Sequence, residues 1–147
     1  MHGGKLKTLK YSKLSGQAKP PARKHPADAG VDVYALESVE IPPHSCAKVR
    51  TGLTFEIGPD FMLLAKPKSG SDFLVGAGVL DPEYQGEVLV KIVNYSAEPL
   101  VINPGDPIAQ LVQVRIYTDP LEELPGGKIH QQETQRGADG GIVRQAS

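Results

Sequence analysis

Asp81 and Tyr84 stand three residues apart in Gly78-Val79-Leu80-Asp81-Pro82-Glu83-Tyr84-Gln85-Gly86-Glu87, a glycine-bounded turn followed by the apolar run Val88 to Asn94. A carboxylate in such a turn can orient and deprotonate a water nucleophile or serve a hard cation, and Asp32 offers the same chemistry earlier in the chain. Lys66-Pro67-Lys68-Ser69-Gly70-Ser71 places an ammonium, a hydroxyl and an unshielded backbone N–H within one turn. That composition suits a phosphate cradle, and it equally suits a plain turn. Three further clusters share the glycine punctuation: Asp28-Ala29-Gly30-Val31-Asp32-Val33-Tyr34, Gly105-Asp106-Pro107-Ile108-Ala109-Gln110-Leu111, and Arg136-Gly137-Ala138-Asp139-Gly140-Gly141. Zinc has no obvious ligand set, because His2, His25, His44 and His130 are scattered and Cys46 is the sole cysteine. No histidine lies near Ser69 in sequence to activate it as a nucleophile.

The elements that must hold these groups read as short strands. Pro- and Gly-containing dipeptides at Pro20-Pro21, Pro42-Pro43, Gly58-Pro59, Asp81-Pro82, Pro104-Gly105 and Asp106-Pro107 mark turns, since Pro fixes φ and Gly accepts positive φ. Between them the pattern predicts strands near 6–14, 31–36, 46–57, 61–66, 87–94, 98–102 and 108–117, and no gap asks for a long helix. Val88, Val90 and Ile92 alternate with Leu89, Lys91 and Val93, the period-two signature of a strand. The same period puts Ile108, Gln110, Val112, Val114 and Ile116 on one face. Gln110 is the polar exception in that row and needs a hydrogen-bond partner, either backbone within the core or a ligand near the strand's start.

At 147 residues and 15.7 kDa, the length fits a single domain. Gly and Pro are frequent, aromatic residues make up 5%, and there is no Trp, which favours an all-β domain with an aliphatic core. The formal net charge of −1 conceals an asymmetry. Residues 1–27 carry seven Lys or Arg and no acid, leaving nine basic against seventeen acidic groups in the rest. Such an arm suits nucleic acid or an exposed edge strand in which Leu6, Leu9 and Leu14 alternate with lysines. With a lone cysteine there is no internal disulfide, which fits a reducing compartment. No apolar core follows the early lysines, and the longest wholly apolar run, Phe61 to Ala65, is too short to span a bilayer. The expectation is a cytoplasmic protein, with a domain over residues 1–130 and a polar, mobile tail over 131–147.

Taken in order, the five clusters resemble the five motifs of the trimeric dUTPase family: DAGVDVYA, PKSG, GVLDPEYQGE, GDPIAQL and RGADGG. The resemblance runs from the basic first strand to Arg136. It implies a distorted jelly-roll β-barrel and a homotrimer with an exchanged C-terminal segment. Three active sites would lie at subunit boundaries, each hydrolysing dUTP to dUMP and pyrophosphate with Mg²⁺ on the phosphates. By the family pattern Asp81 orients the water that attacks the α-phosphorus, and Asp32 reaches the metal through water. Tyr84 lies against the deoxyribose, leaving no room for a 2′-hydroxyl. Lys68, Ser69, Gly70 and Gln110 hold phosphates, and Arg136 clamps the γ-phosphate. The backbone around Val79, Leu80 and Leu89 reads the uracil edge. Positioning and charge neutralisation are what phosphoryl transfer demands of a protein.

The sequence departs from that pattern in three places. Lys68 replaces an Arg and loses its bidentate fork. The segment 71–77 is shorter than in the family, leaving Val75 or Gly76 nearest to the side-chain contact with uracil. The fifth motif continues as Gly141-Ile142-Val143-Arg144, without its aromatic. These departures keep open a dUTPase-like binding or regulatory trimer with weak or no catalysis. The related dCTP deaminases carry a proton-shuttling Glu ten residues after the motif-three Asp, where this chain has Lys91, and a cation cannot fill that role. A nucleic-acid-binding barrel lacks the aromatic platform that such binding uses.

Overall fold

A computed structural model describes residues 7–130 and 135 of the chain. Residues through Tyr117 form one compact unit, and those from Thr118 onward form a second, in which the described residues include a 3-10 turn at Pro125–Gly127. The first unit contains eleven strands: β1 (Lys10–Lys13), β2 (Gly30–Tyr34), β3 (Val39–Ile41), β4 (Ser45–Arg50), β5 (Leu53–Glu56), β6 (Phe61–Lys66), β7 (Leu74–Gly76), β8 (Val79–Leu80), β9 (Leu89–Asn94), β10 (Leu100–Ile102) and β11 (Pro107–Arg115). They form antiparallel sheets in the orders β2-β11-β6-β8, β4-β9-β7, β10-β3 and β1-β5. No α-helix occurs among the described residues, as expected. The fold is all-β and jelly-roll-like.

Inward-facing aliphatic side chains fill the centre. Val33, Ile41, Val49, Leu53, Leu63, Val90, Ile92, Ile108 and Leu111 are all essentially inaccessible. Truncating one of the larger of these to Ala costs about 2–5 kcal/mol. Val88, just before β9, and Val90 and Ile92 within it are buried in the row that the alternation predicts, and Asn94 continues it. The Asn94 amide donates to the carbonyls of Ile41, Pro42 and Glu98, and its oxygen accepts from the Ser96 amide and hydroxyl. That satisfies an otherwise costly buried polar group and pins the far end of β9.

Two expectations are corrected. The predicted strand 46–57 is broken at Thr51-Gly52: β4 pairs with β9 while β5 pairs with β1, so the chain changes sheets there. Gly52 adopts φ 70°, and a Cβ would press on Ala18, so the corner needs glycine. The predicted single-face row from Ile108 to Ile116 holds from Gln110 onward and fails at Ile108. A register shift between Pro107 and Ala109 leaves Ile108 and Ala109 both buried. Beyond it Leu111 faces the core, while Gln110, Val112 and Val114 line the opposite, half-buried side. Gln110 is therefore not an exception within a core row. The short strands β3, β7 and β8 were not predicted. The edge-strand reading of the basic arm holds for Lys10–Lys13, which pairs on one side with β5.

Candidate active site

The turn bearing Asp81 is held from both arms. On the incoming arm, β8 pairs with β6 through Leu63–Leu80 and Leu64–Val79, and the Ala65 amide donates to the Gly78 carbonyl at 2.6 Å. A side chain at Gly78 would run into the Ala65 carbonyl, so glycine is what lets the backbones approach this closely. At the tip the Tyr84 amide donates to the Asp81 carbonyl at 3.0 Å, closing a four-residue turn with Pro82 at the position that favours its fixed φ. The Tyr84 hydroxyl donates to the Glu87 carbonyl at 2.5 Å. Gly86 leaves room for this fold-back, since a Cβ there would sit 2.7 Å from the Tyr84 hydroxyl.

The outgoing arm is fastened to the β4–β5 corner. The Val88 amide donates to the Leu53 carbonyl at 2.8 Å, and the Thr54 hydroxyl donates to the Gln85 carbonyl at 3.1 Å. Buried Thr51 donates to the Val88 carbonyl at 2.7 Å and accepts from the Leu53 amide. The Glu87 carboxylate takes three contacts from Arg50 at 3.1–3.2 Å and one from the Gly52 amide at 3.0 Å. The hydrogen bond and charge of Glu87 raise the pKa of the Arg50 guanidinium above its ordinary value. A rigid hairpin results, with Asp81 exposed at its tip.

Between the arms lies a cavity of about 420 Å³ lined by Val79, Leu80, Asp81, Tyr84, Leu89 and Lys91, with Lys48, Val75 and Gly76 also on its wall. The five residues of this hairpin singled out in sequence thus converge on one space. Tyr84 also borders a second cavity of about 370 Å³ beside Tyr11 and Phe55. Lys48 was not singled out. Its strand-face pattern carried no signal until the register placed it opposite Lys91.

A second cluster lies on β2, β11 and the loop after β6. Gln110 is paired with Asp32 on one side and Lys66 on the other. The Lys68 ammonium lies 2.6 Å from both carboxylate oxygens of half-buried Asp32. Gln110 donates from Nε2 to the Pro67 carbonyl at 3.1 Å, the backbone partner that was one of its two expected fates. The Ser71 amide donates to the Lys68 carbonyl at 3.0 Å, leaving Ser69 and Gly70 exposed at the tip of a closed turn. None of Asp32, Lys68, Ser69, Gly70 and Gln110 borders the Asp81 cavity. Arg136 lies outside the described residues.

Among the described residues no three His, Cys, Asp or Glu side chains gather into a metal cage. Mg²⁺ does not require one, since it is commonly held by one or two carboxylates, waters and substrate phosphates.

The dUTPase family profile matches residues 17–141. The chain belongs to the dUTPase family. It is 38% identical over 136 residues to the deoxyuridine 5′-triphosphate nucleotidohydrolase of Fowl adenovirus A serotype 1, covering 90% of this chain and 74% of that protein. It is 40% identical over 129 residues to the enzyme of the same name from Mycobacterium leprae, covering 82% and 83%. The structure superposes with a TM-score of 0.74, at 27% identity, on a mutant dUTPase from phage phi11 of S. aureus. That match spans 81% of this chain and 97% of the phage chain, in which the coordination of a structural Mg(II) ion is described. Family membership accords with the all-β architecture and the order of the five motifs. Among the described residues, no helix is long and apolar enough to cross a membrane.

Proposed function

We propose that this chain hydrolyses dUTP to dUMP and pyrophosphate, limiting the dUTP available for incorporation into DNA. The observation that carries the reading is the convergence of Asp81, Tyr84, Val79, Leu80 and Leu89 on a single cavity behind a clamped hairpin, in a chain of the dUTPase family. The base enters between the arms and meets the backbone of Val79, Leu80 and Leu89. The Tyr84 ring lies against the deoxyribose, where a 2′-hydroxyl would find no space. Asp81, at the tip, accepts a hydrogen bond from a water and takes its proton as the water oxygen bonds to the α-phosphorus. The bond from that phosphorus to the bridging oxygen breaks, and pyrophosphate leaves. Holding the water in line is the main task, because positioning supplies much of the catalysis in phosphoryl transfer.

Lys68, Ser69, Gly70 and Gln110 form the phosphate-binding half. The exposed Ser69–Gly70 turn offers a hydroxyl and backbone N–H groups, and Lys68 exchanges part of its contact with Asp32 for phosphate oxygens. The hard oxygens of Asp32 would help hold Mg²⁺ beside the phosphates. The ion, when bound, neutralises charge on the phosphates. The phosphate half does not border the Asp81 cavity within one chain, and the homotrimer implied by the family pattern would join the two across a subunit boundary. The cradle of one subunit would face the hairpin of the next, and Arg136 with the tail 131–147 would be supplied by a neighbour. The single cysteine accords with a cytoplasmic setting.

Incubation with Mg²⁺ and each deoxynucleoside triphosphate in turn tests this reading. Pyrophosphate release from dUTP alone, with ¹⁸O from labelled water appearing in dUMP, is the expected result. Release of orthophosphate, or label in pyrophosphate, would exclude attack at the α-phosphorus.

A further inference from the structure

Lys48 and Lys91 are direct cross-strand partners in the β4–β9 ladder, and both border the Asp81 cavity. Like charges placed opposite each other in a sheet destabilise it. Among the described residues, neither lysine forms an ion pair with a carboxylate; the two ion pairs are Arg50–Glu87 and Lys68–Asp32. Among the described residues, Asp81 is the one acidic residue on the cavity wall, and it belongs to the hairpin tip. Half-buried Lys91 and exposed Lys48 thus border a cavity that, among the described residues, has no acid beside them.

The lysines occupy a defined depth. The chain turns at Asp81–Tyr84, and its two arms rejoin at the other end of the cavity, where Gly76 on β7 pairs with Lys91 on β9. Leu89 and Lys91 point to the same face two residues apart, so Lys91 sits about 7 Å further in. The stem of Lys91 passes over Gly76: a Cβ there would lie 3.6 Å from the Lys91 Cδ, and a larger side chain would take up the space beside the stem.

Building on the proposed function, we propose that Lys91, supported by Lys48, reads the C4 substituent of the pyrimidine and selects a carbonyl over an amine. In a pyrimidine nucleotide the sugar is attached at N1, and C4 is the ring atom directly across from it. With the sugar held at Tyr84 near the tip, C4 points inward, toward the lysine pair. An ammonium donates three hydrogen bonds and accepts none. Uracil presents a carbonyl acceptor at C4, whereas cytosine presents an amino donor, which would meet the lysine donor to donor. The carbonyl also gives half-buried Lys91 an acceptor, with the exposed Lys48 beside it as a second donor. Lys91 acts here as a specificity residue and takes no part in the bond-making step.

Equilibrium binding of dUMP and dCMP to the full chain, measured by calorimetry, separates this idea from the reading it rests on. The unmodified protein should prefer dUMP. In Lys91→Met that preference should fall about tenfold, the scale of one lost base-edge contact. Lys91→Arg should retain it, and Lys91→Glu should shift it toward dCMP by offering an acceptor. Thermal unfolding of ligand-free Lys91→Met should be at or above that of the parent, since a like-charge opposition has been removed. An unchanged dUMP-to-dCMP ratio in Lys91→Met would overturn the role of Lys91 and leave the proposed hydrolysis standing. A merely structural lysine would show itself as a lower unfolding temperature with that same unchanged ratio. Absence of any preference in the unmodified protein would overturn both. Should Lys91→Met not fold, the Arg and Glu variants still decide, because equal ratios in those two exclude readout by this side chain.

Discussion

Gly30 of β2 leaves the space that the side chain of Gln110 on β11 occupies: a Cβ at position 30 would overlap the Gln110 carboxamide. The pair explains why a buried glycine begins the outer strand β2 and how a glutamine is turned toward the Pro67 carbonyl. Gly30→Ala should therefore displace Gln110 and loosen the loop carrying Lys68 and Ser69. Unfolding should show a loss of about 1–3 kcal/mol, the range for overpacking. KM for Mg·dUTP should rise more than kcat falls, and a variant with parental KM and stability would show that the contact is not needed.

Asp81→Asn should bind Mg·dUTP nearly as well as the parent while kcat collapses, because the amide keeps the shape of the side chain but cannot take the proton of the attacking water. Single-turnover assays alongside equilibrium binding measure the two separately. Unaltered turnover would remove Asp81 from the chemistry.

Removal of the Tyr84 ring opens space beside the sugar. Tyr84→Ala should raise activity on UTP relative to dUTP, read as the ratio of their kcat/KM values. A ratio equal to that of the parent would mean that another group screens the 2′ position.

Thr51 is completely buried and joins Leu53 of β5 to Val88 on the outgoing arm of the hairpin. Thr51→Val preserves the shape but leaves the Val88 carbonyl and the Leu53 amide without this partner, which should cost about 1–3 kcal/mol. Denaturant unfolding gives the loss, and activity per folded molecule reports whether the hairpin has shifted. Parental stability would show that the neighbouring backbone satisfies both groups without the hydroxyl.

How much of this could be read from the sequence divides along physical lines. Long strands with strict alternation, such as β9, were legible because one face is buried and one is not. The clusters around Asp81 and Lys68 were legible because turns require Gly and Pro at particular places. The corner at Thr51-Gly52 was hidden because apolar and β-branched residues continue across it, and only the positive φ of Gly52 separates the two strands. Ile108 falls out of the alternating row of β11 because a bulge at the strand's start leaves no mark on composition. β7 and β8, three and two residues long, are too short for any periodicity to show, and they are fixed by pairing with β9 and β6. The opposition of Lys48 and Lys91 depends on register between segments about forty residues apart, which a single sequence does not encode locally.

Strand β6 serves two masters at its C-terminal end. Ala65 grips the backbone that leads into Asp81, and one residue past the strand Pro67 receives the glutamine belonging to the phosphate half. A sliding of this one ribbon would thus carry the water-activating and phosphate-holding parts of the chain together, keeping their mutual spacing. Evolution can retune either half through its own loop, but a length change within β6 would disturb both at once.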